Sequence, residues 1–277
     1  YRMSAMISAG ISAEDAQSIL AATIESNIEI LGKDQTENFL YAYITTFAMI
    51  FALYMVILLY GQMVTTGVAT EKSSRAMELL ITSANPVSMM FGKVLAACLA
   101  GFLQLVSIFG TAIICYNINK SYWNENFMID SVFNIPVSLF VYMLVFFVLG
   151  FLIYAFMYGA VGSTVSKLED VNTSVMPITM LFIVAFFVVM FSLSSGNTDN
   201  TLMKVCSYIP FTSPMAMVTR IGMSTVSAYE IVISIAILVI SVGIIGVIAA
   251  KIYRVGVLMY GVPPKMKEII KAIRKSA

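Results

Sequence analysis

Charged side chains are missing from five long stretches of the chain, residues 38–70, 94–119, 131–166, 171–198 and 231–250. The shortest has 20 residues and the longest 36, and each is dominated by Phe, Leu, Ile, Val, Met and Ala. A helix of about 20 mostly apolar residues crosses the hydrocarbon core of a bilayer. A charge at its centre costs roughly 2.5–3.5 kcal/mol on insertion scales. The pattern predicts an all-α, polytopic helical membrane protein with five transmembrane helices, near residues 39–64, 91–116, 136–161, 176–193 and 231–250.

The segments between the spans carry other patterns. Residues 12–31 read as an amphipathic helix, with a Ser12–Asp15 start signal, a stripe of Ala16, Leu20, Ile24, Ile28 and Leu31, and Gly32 as a stop. It ends an external domain, feeds the first span as a stalk, or simply packs on its external neighbours. Between the second and third spans, Tyr122, Trp123 and Phe127 suit a membrane interface. Residues 197–229 are half polar, and Pro210 and Pro214 interrupt an apolar run. That segment is too broken to span and predicts short re-entrant helices, whose backbone protein rather than lipid must satisfy. Small residues at helical spacing (Ala97 and Gly101, Gly159 and Gly162, Gly243 and Gly246) predict close helix contacts, within a bundle or a dimer.

Composition agrees: 60% of the residues are hydrophobic and 11% charged, against about 25% charged in soluble domains. The three cysteines, Cys98, Cys115 and Cys206, give no disulfide framework and no metal-site spacing. There is no histidine, which excludes histidine-based acid–base chemistry. An intramembrane enzyme would need a catalytic dyad, and the spans hold no paired carboxylates. No residue is a catalytic or metal-binding candidate, and nothing points to a nucleic-acid partner.

Lysine and arginine set the orientation. The loop after the first span, the loop after the third and the tail hold eleven of the 16. The acidic residues divide the other way, five against ten. The positive-inside rule places those loops and the tail in the cytoplasm. Residues 1–38 are then an external segment, residues 39–250 the transmembrane domain, and residues 251–277 a cytoplasmic tail. An external start at Tyr1 with no signal-peptide pattern predicts a further span upstream, six in the complete protein; a chain of five spans with its N-terminus outside is the alternative.

The first cytoplasmic loop is the most organised polar stretch. Glu71, Arg75 and Glu78 fall at helical spacing as a charge ladder, with Met77, Leu80 and Ile81 as an opposing apolar strip. Asn85-Pro86 closes it, since proline disfavours helix in the residue before it. The loop predicts a short amphipathic helix near residues 69–85, lying across the cytoplasmic face.

Glu71-Lys72-Ser73-Ser74-Arg75-Ala76-Met77-Glu78-Leu79-Leu80, the Asn85-Pro86 turn and Gly92-Lys93 at the next span together resemble the permease subunits of type-2 ABC exporters. The third loop, Gly162 to Asn172, is similar to the second cytoplasmic turn of that group. The tail from Ala250 to Gly261 and the external Ile209-Pro210-Phe211 segment resemble its NatB-type branch, named for sodium efflux. The resemblance implies a half-transporter: two permease chains, a second copy or a related permease, forming the pathway, each docked on a separate ABC ATPase subunit that carries the ATP and Mg. It implies a coupling helix in which Glu71, Lys72, Arg75 and Glu78 contact the ATPase, with Lys167, Glu169 and Asp170 as a second touch point. The bland reading is a solvated loop with weak local ion pairs. The resemblance also implies a prokaryotic cell membrane.

The chain itself lacks the phosphate-cradling motif Gly-x-x-x-x-Gly-Lys-Ser/Thr: Val follows Gly92-Lys93, and Val87 stands where the first glycine belongs. In the tail, Met266, Ile269, Ile270 and Ile273 form an apolar face amid Lys265, Lys267, Lys271, Arg274 and Lys275. Such a helix lies on an anionic membrane surface or touches the ATPase. Thr45, Thr46, Tyr54, Gln104, Tyr154 and Tyr158 are the polar pathway candidates inside the spans, each with helix packing as the alternative. The absence of Asp, Glu and His there argues against an ion-coupled carrier. The cargo is sodium, or an amphipathic peptide, drug or lipid, and a pore or structural subunit without energised transport is the rival.

Overall fold

The computed structural model describes residues 33–119 and 136–259. The predicted helix at 12–31, the loop around Trp123 and the basic tail with Lys265, Lys267, Lys271, Arg274 and Lys275 lie outside the described residues. Contacts within the chain separate two units, Tyr1–Phe39 and Leu40–Ala277, and the packing below is that of the second.

All regular structure among the described residues is helical: α1 (Lys33–Ser73), α2 (Ala76–Ser83), α3 (Pro86–Ile118), α4 (Val137–Thr164), α5 (Val171–Ser194), α6 (Thr201–Cys206), α7 (Ser213–Met223) and α8 (Ala228–Gly256), with a single 3-10 turn at Leu168–Asp170. Five of the helices are long and apolar enough to cross a membrane. They match the five uncharged stretches, because in lipid only a helix satisfies every backbone group within its own segment. All five run past the expected limits: α1 continues nine residues beyond Val64, α3 and α5 each begin five residues early, at Pro86 and Val171, α4 ends at Thr164 rather than 161, and α8 ends at Gly256 rather than 250. Hydropathy marks what lies in lipid, whereas the backbone ladder stops only where something breaks it.

α4 is the central helix. In its most apolar stretch 56% of the residues are buried, against 22–39% in the other four spans. It packs on α3, α5, α7 and α8, and its Phe146, Phe147, Phe151, Tyr154 and Tyr158 are fully enclosed. Glycine permits the closest approaches. A Cβ on Gly61 of α1 would lie 2.6 Å from the Tyr158 ring, and one on Gly101 of α3 would lie 3.0 Å from Phe147. Gly246 of α8 packs on Phe156, but Gly243 faces open space, so only part of the small-residue pattern serves contacts within this chain.

The segment after α5 folds back into the helix bundle. Ser213 to Arg220 of α7 are all buried, and Pro214 sits so close to Gly150, halfway along α4, that a Cβ there would approach its ring to 2.4 Å. Buried hydroxyls are paired: Ser213 and Ser234 lie 2.7 Å apart, and Ser234 donates to the Ser207 carbonyl at 2.8 Å. Protein groups, not lipid, satisfy this broken backbone, as its position requires.

Candidate functional site

The corner between α1 and α2 is built by local competition for backbone carbonyls. Ser73 donates to the Thr70 carbonyl at 3.1 Å and Ser74 to that of Glu71 at 3.3 Å, an alternative to continued helix that Ser offers readily. Arg75 then adopts a left-handed conformation, with φ 59° and ψ 5°. That geometry is uncommon for a residue with a Cβ, and it turns the chain into α2. At the far end Ala84 is extended, the Asn85 side chain accepts from the Val87 amide at 3.0 Å, and Pro86 opens α3. Proline fits a first helical position because its missing N–H would have no partner there.

Two sequence-based expectations fail here. The amphipathic helix does not run from 69 to 85: its first third is the end of α1, and the Arg75 turn puts Glu71 and Glu78 on different helices. No single helical face carries the charge ladder. Lys72 is not a docking residue either, being 1% exposed, with its ammonium directed inward at the carbonyls of Ser163, at 2.6 Å, and Gly256, at 2.8 Å. Glu71 is half-buried and ion-paired with Lys93 of α3.

The remaining candidates point outward. Arg75 and Glu78 are exposed, as are Lys167, Glu169 and Asp170 around the 3-10 turn. Met77 is buried in the core with Ile81 packed against it, which fixes α2 to the bundle. Leu79 is 75% exposed on the same short helix. Val165 and Val171, flanking the 3-10 turn, pack on Ala69 of α1. The two predicted touch points are therefore neighbours at one end of the bundle. A cleft of about 380 Å³ lined by Ile81 to Pro86 and Arg254 lies beside α2.

Among the pathway candidates, the tyrosines are engaged internally. Tyr154 donates to the Phe211 carbonyl at 2.7 Å, and the Tyr158 hydroxyl pairs with that of Thr179 at 3.0 Å. Tyr54 stacks on Phe186 and Phe182 of α5 with ring centroids 4.2 and 5.5 Å away, and Phe182 meets Tyr154 edge-on. Thr45 and Thr46 are buried, Thr46 against Gly222 of α7, and Gln104 is half-buried on α3. A groove of about 330 Å³ between α1 and α5 is lined by Gln62, Asn172, Thr173 and Thr179, and Gln62 donates to Asn172 at 2.9 Å.

Sequence reasoning missed the ion cluster at the other end. Arg220, enclosed on α7, donates to Asp199 and Glu230; Lys204 pairs with Asp199 at 2.8 Å, and the Tyr208 hydroxyl lies 3.4 Å from Glu230. Hydrogen bonds from Lys204 and Arg220 hold the Asp199 carboxyl below its usual range. An arginine ending an apolar run demands partners, and Asp199 and Glu230 flank that run in the sequence. Among the described residues no group of His, Cys, Asp and Glu could hold a metal ion.

Residues 2–251 match the profile of the ABC-2 family transporter protein. The chain is 35% identical over 230 residues to the uncharacterized protein YhaP of Bacillus subtilis, covering 82% of this chain and 54% of that protein. It is 30% identical over 229 residues to the uncharacterized protein MJ1024 of Methanocaldococcus jannaschii, covering 82% and 53%. The chain thus spans about half the length of the curated relatives it matches. No solved structure matches it.

Proposed function

This chain belongs to the ABC-2 transporter family as a multi-pass membrane component, and from that premise we propose that it is the permease subunit of an ATP-driven exporter of the NatB-type branch. Permeases of this family usually work beside an ATPase subunit in a lipid bilayer. Two copies enclose the pathway, and the end carrying α2 faces the cytoplasm of a prokaryotic cell. There Arg75 at the start of α2, Glu78 and Leu79 on it, and Lys167, Glu169 and Asp170 at the neighbouring turn form the ATPase-docking surface. Glu71 backs it through Lys93.

One observation carries the reading. A short helix is anchored on one side by buried Met77 and presents charge and an exposed leucine on the other, beside a second exposed charged turn. A helix seated in the core through Met77 can pass movement of a docked body to the spans. The absence of Asp and Glu from the spans favours an amphipathic peptide, drug or lipid over sodium as cargo, because a dry cation site would have only neutral oxygens.

The test is purification of the tagged full-length protein from its native membrane. An ATPase subunit bearing the phosphate-cradling motif is expected with the wild type and is expected to be lost with Arg75→Glu. An ATPase retained by Arg75→Glu with undiminished transport contradicts the docking surface; no ATPase in any preparation favours a passive pore.

A further inference from the structure

Lys72 is buried beside the docking surface without belonging to it, and its partners are unusual. Ser163 is the penultimate residue of α4, and Gly256 is the last of α8. Carbonyls in the final turn of a helix lack intrahelical partners and carry the negative end of its dipole. One ammonium here serves two such ends, at 2.6 and 2.8 Å.

That arrangement requires three backbones to converge, and the small residues allow it. A Cβ on Gly256 would lie 2.3 Å from the Ser163 hydroxyl and 3.0 Å from its carbonyl carbon. One on Gly162 would lie 2.9 Å from the Thr65 carbonyl oxygen of α1. Thr65 in turn donates to the Tyr158 carbonyl at 2.9 Å. Immediately before Lys72, Glu71 pairs with Lys93. Two consecutive residues in the last turn of α1 therefore engage α3, α4 and α8, three residues before the turn at Arg75. Apolar packing is non-directional and lets helices slide, whereas charge-assisted hydrogen bonds to fixed carbonyls set a distance and an angle.

We propose that Lys72 is the joint through which displacement of α2 reaches α4 and α8, a positioning residue for the transport cycle that touches neither ATPase nor cargo. The proposal rests on the reading of α2 as the docking element. With Lys72 in place, α2 and the ends of α4 and α8 move as one body. Without it, α2 and α1 slip past α8 and the stroke is lost before it reaches the core.

The experiment uses the full-length permease purified with its ATPase in lipid vesicles, with Cys98, Cys115 and Cys206 replaced by Ser. Spin labels are placed at Thr82→Cys, on α2, and Leu258→Cys, just beyond α8. In the wild-type background the label distance is expected to stay constant between nucleotide-free and vanadate-trapped states. Lys72→Met is expected to retain the ATPase but to show a nucleotide-dependent shift of about 2–5 Å, the size of a helix slide up to one turn. Lys72→Arg is expected to restore the constant distance. Gly256→Ala, which pushes α8 off Ser163 with the lysine intact, is expected to behave as Lys72→Met and replaces it if that variant does not assemble. A constant distance in both Lys72→Met and Gly256→Ala, with the ATPase bound, overturns the joint alone. Absence of the ATPase from the wild-type preparation overturns the docking reading and the joint with it.

Discussion

Arg220 reaches Asp199 Oδ1 with both Nε, at 3.1 Å, and Nη2, at 2.8 Å, and the same Nη2 reaches Glu230 Oε2 at 2.7 Å. One enclosed guanidinium thus holds together the segments on either side of α7, the stretch entering α6 and the first turn of α8. Breaking a fully buried ion pair costs about 3–5 kcal/mol. Here Asp199 is 46% exposed and recovers water, so Arg220→Met is expected to cost less, about 2 kcal/mol, chiefly from leaving Glu230 uncompensated. Thermal unfolding of the purified protein in detergent measures it, and an unchanged midpoint contradicts the role.

Acid acts on the same cluster. Because Lys204 and Arg220 depress the Asp199 pKa in the folded state, its contribution to stability is complete above the ordinary carboxylate range. It is lost as pH falls through the lower folded value. The wild type is expected to lose thermal stability on that acid limb, and Asp199→Asn to show a shallower loss there. Identical acid limbs in the two proteins count against the cluster.

The insertion of α7 rests on a missing side chain. Gly150→Ala drives a methyl to 2.4 Å from Pro214 Cγ and 2.6 Å from its Cβ, a rigid ring in a buried helix. Overpacking of this kind costs about 1–3 kcal/mol. Gly243→Ala meets nothing within 4 Å and is expected to leave the unfolding midpoint where it was.

Arg75 combines two roles that one substitution separates. Its left-handed backbone costs an ordinary residue about 1–2 kcal/mol, and glycine removes that cost. Arg75→Gly is expected to leave the protein at least as stable as the wild type while weakening ATPase capture. A β-branched Arg75→Ile is expected to lower both. If Arg75→Gly captures the ATPase as well as the wild type, the guanidinium contributes nothing to docking.

The five spans were legible because lipid forbids charge along their whole length, so 20 or more consecutive residues carry the same message. The Asn85-Pro86 start of α3 was legible for a local reason, the missing proline N–H. Lys72 was misread because its sequence neighbours Glu71, Arg75 and Glu78 suggest a solvated ladder, and its acceptors lie 91 and 184 residues away. A faint signal existed: Val64, Thr65, Val68 and Ala69 are buried at helical spacing and Lys72 continues their stripe. The break at Arg75 had no such signal, because its left-handed turn involves neither glycine nor proline. The Arg220 cluster was within reach, since an arginine closing the run from Ser213 needed carboxylates and two flanked it.

The central claim is that α2 is the surface on which an ATPase works from inside the cell. A photo-crosslinking amino acid at Leu79, 75% exposed on that helix, tests it directly in intact cells. The expected result is a covalent adduct between the permease and an ATPase subunit, with a Leu79→Cys variant silent to membrane-impermeant thiol reagents added from outside. Labelling of Leu79→Cys from outside, with no ATPase adduct, would contradict it.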